Sequence, residues 1–121
     1  MENSIMDIEI VDRRPAGFQL AKALRWRLRQ ALARLEGPVR QVTLTLADIN
    51  GPRGGLDQHC QLVIALEGDA PLVIQERAET VQQATGHAIA RARRNLAKRI
   101  KKRQQRRRQW PLRQAQATLQ A

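Results

Sequence analysis

Two groups of residues have the types and spacing to do chemistry. Residues 48–60 read DINGPRGGLDQHC, which sets Gly51, Pro52, Arg53, Gly54 and Gly55 beside Asp57, His59 and Cys60. Glycine-rich turns cradle phosphates, and His, Cys and Asp ligate metals, so the stretch invites both readings. The second group is a cation run. Residues 80–121 hold twelve Lys or Arg and no Asp or Glu, the composition of a polyanion receptor.

The loop does not meet the requirements of either chemistry. A phosphate loop ends in Gly-Lys-Ser/Thr and opens a helix, whereas this one has no such lysine and leads into an alternating, strand-like segment. A dinucleotide fingerprint fails for the same reason. Alternation sends His59 and Cys60 to opposite faces of a strand, and the distance to His87 matches no Cys/His zinc spacing, so neither metal nor cofactor is expected. The residues instead suit a bend: the glycines admit positive φ, Pro52 stiffens the chain, and Asp48, Asn50 and Asp57 can accept backbone N–H bonds. Arg53 at the tip is a candidate RNA contact. Cys60 is the single cysteine, which excludes an internal disulfide, suits a reducing compartment and reads as a small buried residue. No set of nucleophile, base and orienting group is apparent, and no enzyme is expected.

The cation run carries more. The formal net charge is +11, from 22 Lys and Arg against 11 Asp and Glu; as far as Glu79, ten basic residues meet all eleven acids, so the excess belongs to the last third. A helix of mixed Glu and Lys would be ordinary solvated surface, but an acid-free one repels itself and gains from a bound polyanion. Phe18, Trp26 and Trp110 are the only aromatic residues, too few for a platform that stacks unpaired bases, so recognition of RNA backbone and shape is expected. No apolar run approaches the roughly 20 residues of a membrane span, and the acidic first dozen residues do not resemble a leader. A cytoplasmic chain is expected. Anchoring to an anionic membrane is disfavoured by arginines on several helix faces and few apolar anchors.

The elements that position these groups follow from periodicity. Met6, Ile8 and Ile10 alternate with Asp7 and Glu9 and predict a first strand over 4–11. From Phe18 the period becomes helical, with Leu20, Leu24, Leu28, Leu32 and Leu35 on one arc, ending at Gly37 and Pro38. Alternation about Val42–Leu46 and Cys60–Leu66 predicts a hairpin around the loop, and a tight turn at 68–70 leads to a fourth strand over 72–77. Thr80 and Gln83 form a capping-box pattern opening a helix on Val81, Ala84, Ala88, Ala92, Leu96 and Ile100. The expectation is an α+β fold, β-α-β-β-β-α, with a four-stranded sheet and both helices on one face. Asp7, Glu9, Thr43, Thr45 and Gln61 then fall on the other, neutral to acidic face.

On the helices, Lys22, Arg25, Trp26 and Arg29 share the outer face of the first, and Arg91, Arg94, Lys98, Lys101 and Lys102 form a stripe on the second. Trp26 is expected to pack under a loop or arginine stems rather than to stand exposed. Arg99 and Arg103 fall on the continuation of the core arc, so the helix is expected to outrun the sheet near Ile100 and present bare charge all round. Two units are expected: an α+β domain over 1–103 and a basic tail over 104–121 that is disordered when unbound.

This order of elements, the loop with Asp48, Asn50, Gly51, Gly54, Gly55 and Asp57, and the Ala-Ile-Ala-Arg-Ala-Arg-Arg opening of the basic part of the last helix resemble the bacterial ribosome hibernation-promoting factor and ribosome-associated inhibitor family over residues 4–103. The resemblance implies a fold similar to double-stranded RNA-binding domains and no catalysis. It also implies binding to small-subunit rRNA in the channel used by mRNA and tRNA. By position it carries to Lys22, Arg25, Arg29, Arg91, Arg94, Lys98, Lys101 and Lys102. Long family members add a C-terminal domain that pairs ribosomes, for which these 121 residues leave no chain. The partner expected is the small ribosomal subunit and its rRNA, with no small-molecule substrate and a monomeric free state. The alternative is a general duplex-RNA-binding or RNA-chaperone module.

Overall fold

The computed structural model describes residues 6–14, 20–35, 37–49 and 58–120, the last from 109 onward as backbone only. Its elements are β1 (Asp7–Asp12), α1 (Ala21–Leu32, extended by a 3₁₀ turn Ala33–Leu35), β2 (Val39–Asp48), β3 (Gln58–Leu66), β4 (Leu72–Ala78) and α2 (Val81–Gln120). The sheet order is β1-β2-β3-β4, with β1 parallel to β2 and the other pairs antiparallel. The expected α+β architecture is borne out.

The register makes the core. Ile8, Val42, Ile64 and Leu72 form one row across the sheet and Ile10, Leu44, Leu62 and Ile74 the next. Apart from the partly buried Ile10, all of these are buried, together with Leu24, Leu28 and Leu32 of α1 and Ala84, Ala88, Ala92 and Leu96 of α2. Each fully buried Leu or Ile contributes about 1.5–3 kcal/mol, and the strand period of two reserves that contribution for one face. The small side chains of α2 let its axis lie close over β3 and β4, while α1 lies over β1. The opposite face carries exposed Asp7 and Glu9 with half-buried Thr43, Thr45 and Gln61, as the alternation predicts.

The ends of the core rows hold its charges. Asp12, Leu46, Cys60 and Glu76 share a row. The Arg14 guanidinium grips Asp12 through Nε at 2.8 Å and Nη2 at 2.6 Å, and these bonds hold the carboxyl below its usual range. Burial, helped by the Glu76 charge, pushes the Cys60 thiol up to about 12, so it is an inert core group. Thr80 Oγ1 accepts the Gln83 N–H at 3.1 Å and caps α2. Thr80→Ala is expected to cost about 1 kcal/mol in denaturant unfolding, and Thr80→Ser to restore most of it.

One expectation needs correction. Arg99 and Arg103 do not present bare charge: they turn back onto the β3–β4 turn, where Arg99 Nη1 donates to the Ala70 carbonyl and Arg103 Nη1 to the Glu67 carbonyl, each at 2.6 Å. This turn holds Gly68 at φ +70°, a conformation glycine adopts without a side-chain clash. Beyond the packed part, the backbone of α2 is helical from Gln104 through Gln120. Arg, Gln, Ala and Leu are strong helix formers, and loss of the apolar stripe ends packing rather than the helix. Gln104 to Arg108 are accordingly all exposed.

Candidate nucleic-acid interface

The sheet order sets what each helix face meets. Across the helix layer the sequence of features is the β1 flank, α1, the groove between helices, α2 and the β4 flank. With Leu28 as zero on a 100° wheel, Arg25, Arg29 and Lys22 lie at about 60–120°, and Arg27 and Arg34 at about −100 to −120°. The first set is on the β1 side, where Arg25 Nε donates to the Ile8 carbonyl at 3.3 Å. The second set faces α2. A Cβ built on Gly86 of α2 would lie 3.3 Å from Arg27 Nη2, so the missing side chain admits this guanidinium.

On α2 the expected stripe divides, with Arg91 on the β4 side and Arg94 beside the groove. Arg91 Nη1 donates to Glu76 Oε2 and, at 3.1 Å, to the Gln75 carbonyl. Arg91 therefore has a structural part: it neutralises the carboxylate and covers a carbonyl of the edge strand. Arg94, Lys98, Lys101 and Lys102 are exposed and form no ion pair with a described residue; the same holds for exposed Lys22 and half-buried Arg29. Arg53 and residues 50–57 of the loop lie outside the described residues.

The two stripes therefore do not merge. Lys22, Arg25 and Arg29 sit on one flank of the layer and Arg91, Lys98 and Lys102 toward the other, separated by two helix widths, roughly 20 Å. Between them runs a groove of about 740 Å³ with Ala31, Ala90 and Ala97 low in its walls and Arg34, Arg93 and Arg94 along it. Sequence reasoning does not single out Arg27, Arg34 and Arg93. A wheel drawn for one helix cannot say which flank faces its neighbour; the available signal is the row of small residues Gly86, Ala90 and Ala97, which marks the side where helices approach.

Trp26 also differs from expectation. It is 65% exposed, not packed under a loop or arginine stems. At about 160° on the same wheel it points away from the core.

Chemically the helix side is a surface whose two helices carry no acid and whose guanidinium and ammonium groups line two flanks and a groove. It can hold phosphates by charge-assisted hydrogen bonds, with Arg suited to bidentate contacts. Among the described residues no three His, Cys, Asp or Glu side chains converge on a common point, and no helix is long and apolar enough to cross a membrane.

The fold and this surface define a class: an α+β domain with two cationic helices on one face of a mixed four-stranded sheet. No protein-family model and no curated protein matches the sequence. Solved structures do match the fold. The Thermus thermophilus Protein Y N-terminal domain is similar with a TM-score of 0.55 and 17% identity, over 75% of this chain and 96% of that one. A ribosomal subunit interface protein from Coxiella burnetii is similar with a TM-score of 0.53 and 14% identity, over 77% and 93% of the two chains. The resemblance read from the sequence is borne out in the fold.

Proposed function

We propose that this protein is a ribosome-associated translation inhibitor that lays its helix layer on small-subunit rRNA, occupying the channel used by mRNA and tRNA. The observation that carries this reading is the two-sidedness of the molecule: α1 and the whole of α2 have no acid, while Asp7 and Glu9 face out from the opposite sheet surface. A polyanion is attracted to the helix side, while the opposite face, where Arg77 offsets part of the charge of Asp7 and Glu9, offers no such attraction, so the charge pattern favours one orientation. The naming of the Coxiella burnetii neighbour as a ribosomal subunit interface protein supports the ribosome as the source of that polyanion.

Inhibition on this reading is steric and electrostatic competition and needs no catalysis, cofactor or small molecule. The chain acts in the cytoplasm as a monomer. Its packed unit ends at about residue 103, and the arm beyond it, with Arg106, Arg107 and Arg108 exposed, extends the cationic surface.

Sedimentation of extracts from growing and starved cells tests the proposal. The protein is expected to travel with small subunits and whole ribosomes, most strongly after starvation. A spread over all RNA-containing fractions would instead identify a general duplex-RNA binder or RNA chaperone.

A further inference from the structure

We propose that Trp26 is a stacking residue for an unpaired RNA base, so that the α1 flank reads single-stranded nucleotides while the rest of the helix layer holds phosphates. This inference rests on the RNA-binding reading above and adds to it a second mode of recognition. The observation is the indole itself, 65% exposed on a helix whose leucines are buried. No hydrogen bond or ion pair with a described residue ties it down.

Its surroundings select the occupant. Lys22 and Arg29 stand at i−4 and i+3, the positions adjacent to Trp26 on the helix surface, and α1 has no acid to compete for them. A base stacked on the indole would therefore have its flanking phosphates within reach of two cations. This pairing of a π-face with a cationic track is the arrangement that holds single strands without sequence preference. A protein partner would find an isolated ring within a strongly cationic surface, a poor apolar anchor. A blunt duplex offers no face for the ring, because its bases are already stacked.

Stacking and phosphate binding differ in salt dependence, which makes them separable. Removing a cation that neutralises one phosphate lowers the slope of affinity against salt by about one, whereas removing a stacking ring leaves that slope unchanged. In a Trp110→Phe background Trp26 is the sole indole, and its fluorescence is expected to quench on titration with a single-stranded oligouridylate but not with a blunt RNA duplex. Trp26→Ala is expected to weaken oligouridylate binding about 5- to 150-fold, leaving the salt slope and the thermal midpoint unchanged. Trp26→Phe should retain most of the affinity.

An unquenched indole, or unchanged oligouridylate affinity in Trp26→Ala while Lys98→Glu still weakens RNA binding, would overturn stacking and leave the RNA-binding reading standing. Loss of RNA affinity in neither variant would overturn both. A blue shift on vesicles of anionic phospholipid, without quenching by RNA, would assign the indole to a lipid surface and overturn the proposal.

Discussion

Replacing Arg94, Lys98 and Lys101 together by glutamate is expected to lower affinity for small ribosomal subunits by about 10³-fold or more at 0.1 M salt, with the domain still folded. The magnitude follows from counterion release: each phosphate that is no longer neutralised on a duplex-like polyanion weakens binding about eightfold at that salt, and three compound to about 500-fold before the new repulsion is counted. The three side chains are exposed and form no ion pair with a described residue, so none supports the fold. Glutamate is a strong helix former, and at 98 it stands one turn before Lys102, a favourable pair. Far-ultraviolet circular dichroism and thermal unfolding check the fold, and equilibrium binding to purified small subunits checks the affinity. A folded triple variant that binds normally would move the site away from α2's outer stripe. Arg34→Glu with Arg93→Glu then tests the groove, because these residues lie on its two walls.

The contrast between Lys98 and Arg91 shows how far the sequence can be read. Both fall in the same stripe on a helical wheel. Yet Arg91 is drawn onto Glu76, whose position at the end of a core row depends on the pairing of β4 with β3. Local periodicity places a side chain on a face; it does not report which carboxylate or carbonyl of a distant strand comes within reach. Arg99 and Arg103 illustrate the same limit, since the carbonyls they meet belong to residues 29 and 36 positions earlier in the chain. The sheet, by comparison, is legible because its information is local. Met6, Ile8, Val42 and Leu44 alternate with polar residues, and a slip of one position would turn every one of them to solvent. Trp26 departs from the general rule that large aromatics are covered: α1 lies at the edge of the layer, and nothing in a single helix states that it has no outer neighbour. The α2 extension is illegible for a different reason. The end of an apolar stripe marks the end of packing, but arginine, glutamine and alanine keep the backbone helical without it.

Raising monovalent salt from 50 to 200 mM is expected to weaken binding to small subunits about 10³-fold, a log–log slope near −5 if about six phosphates are neutralised. The cations available support that count. Lys22, Arg29, Arg94, Lys98, Lys101 and Lys102 form no ion pair with a described residue, and Arg27, Arg34 and Arg93 add to them in and beside the groove. Arg91 is excluded because Glu76 already neutralises it. Arg99 and Arg103 keep their charge, since carbonyls do not cancel it, but their fixed guanidinium groups offer fewer donors to a phosphate. Lys22 and Arg29 stand on one flank and Lys98 and Lys102 toward the other, so the slope also measures how much of the layer is engaged. A partner seated on α2 alone, on four of the six cations, would give a slope of about −3.6, whereas one spanning both helices gives the steeper value. The triple glutamate variant discriminates further: its slope should be shallower than that of the native chain by at least about three. A nearly flat titration would mean that phosphates are not what the helix layer binds, and the polyanion reading would fall with it.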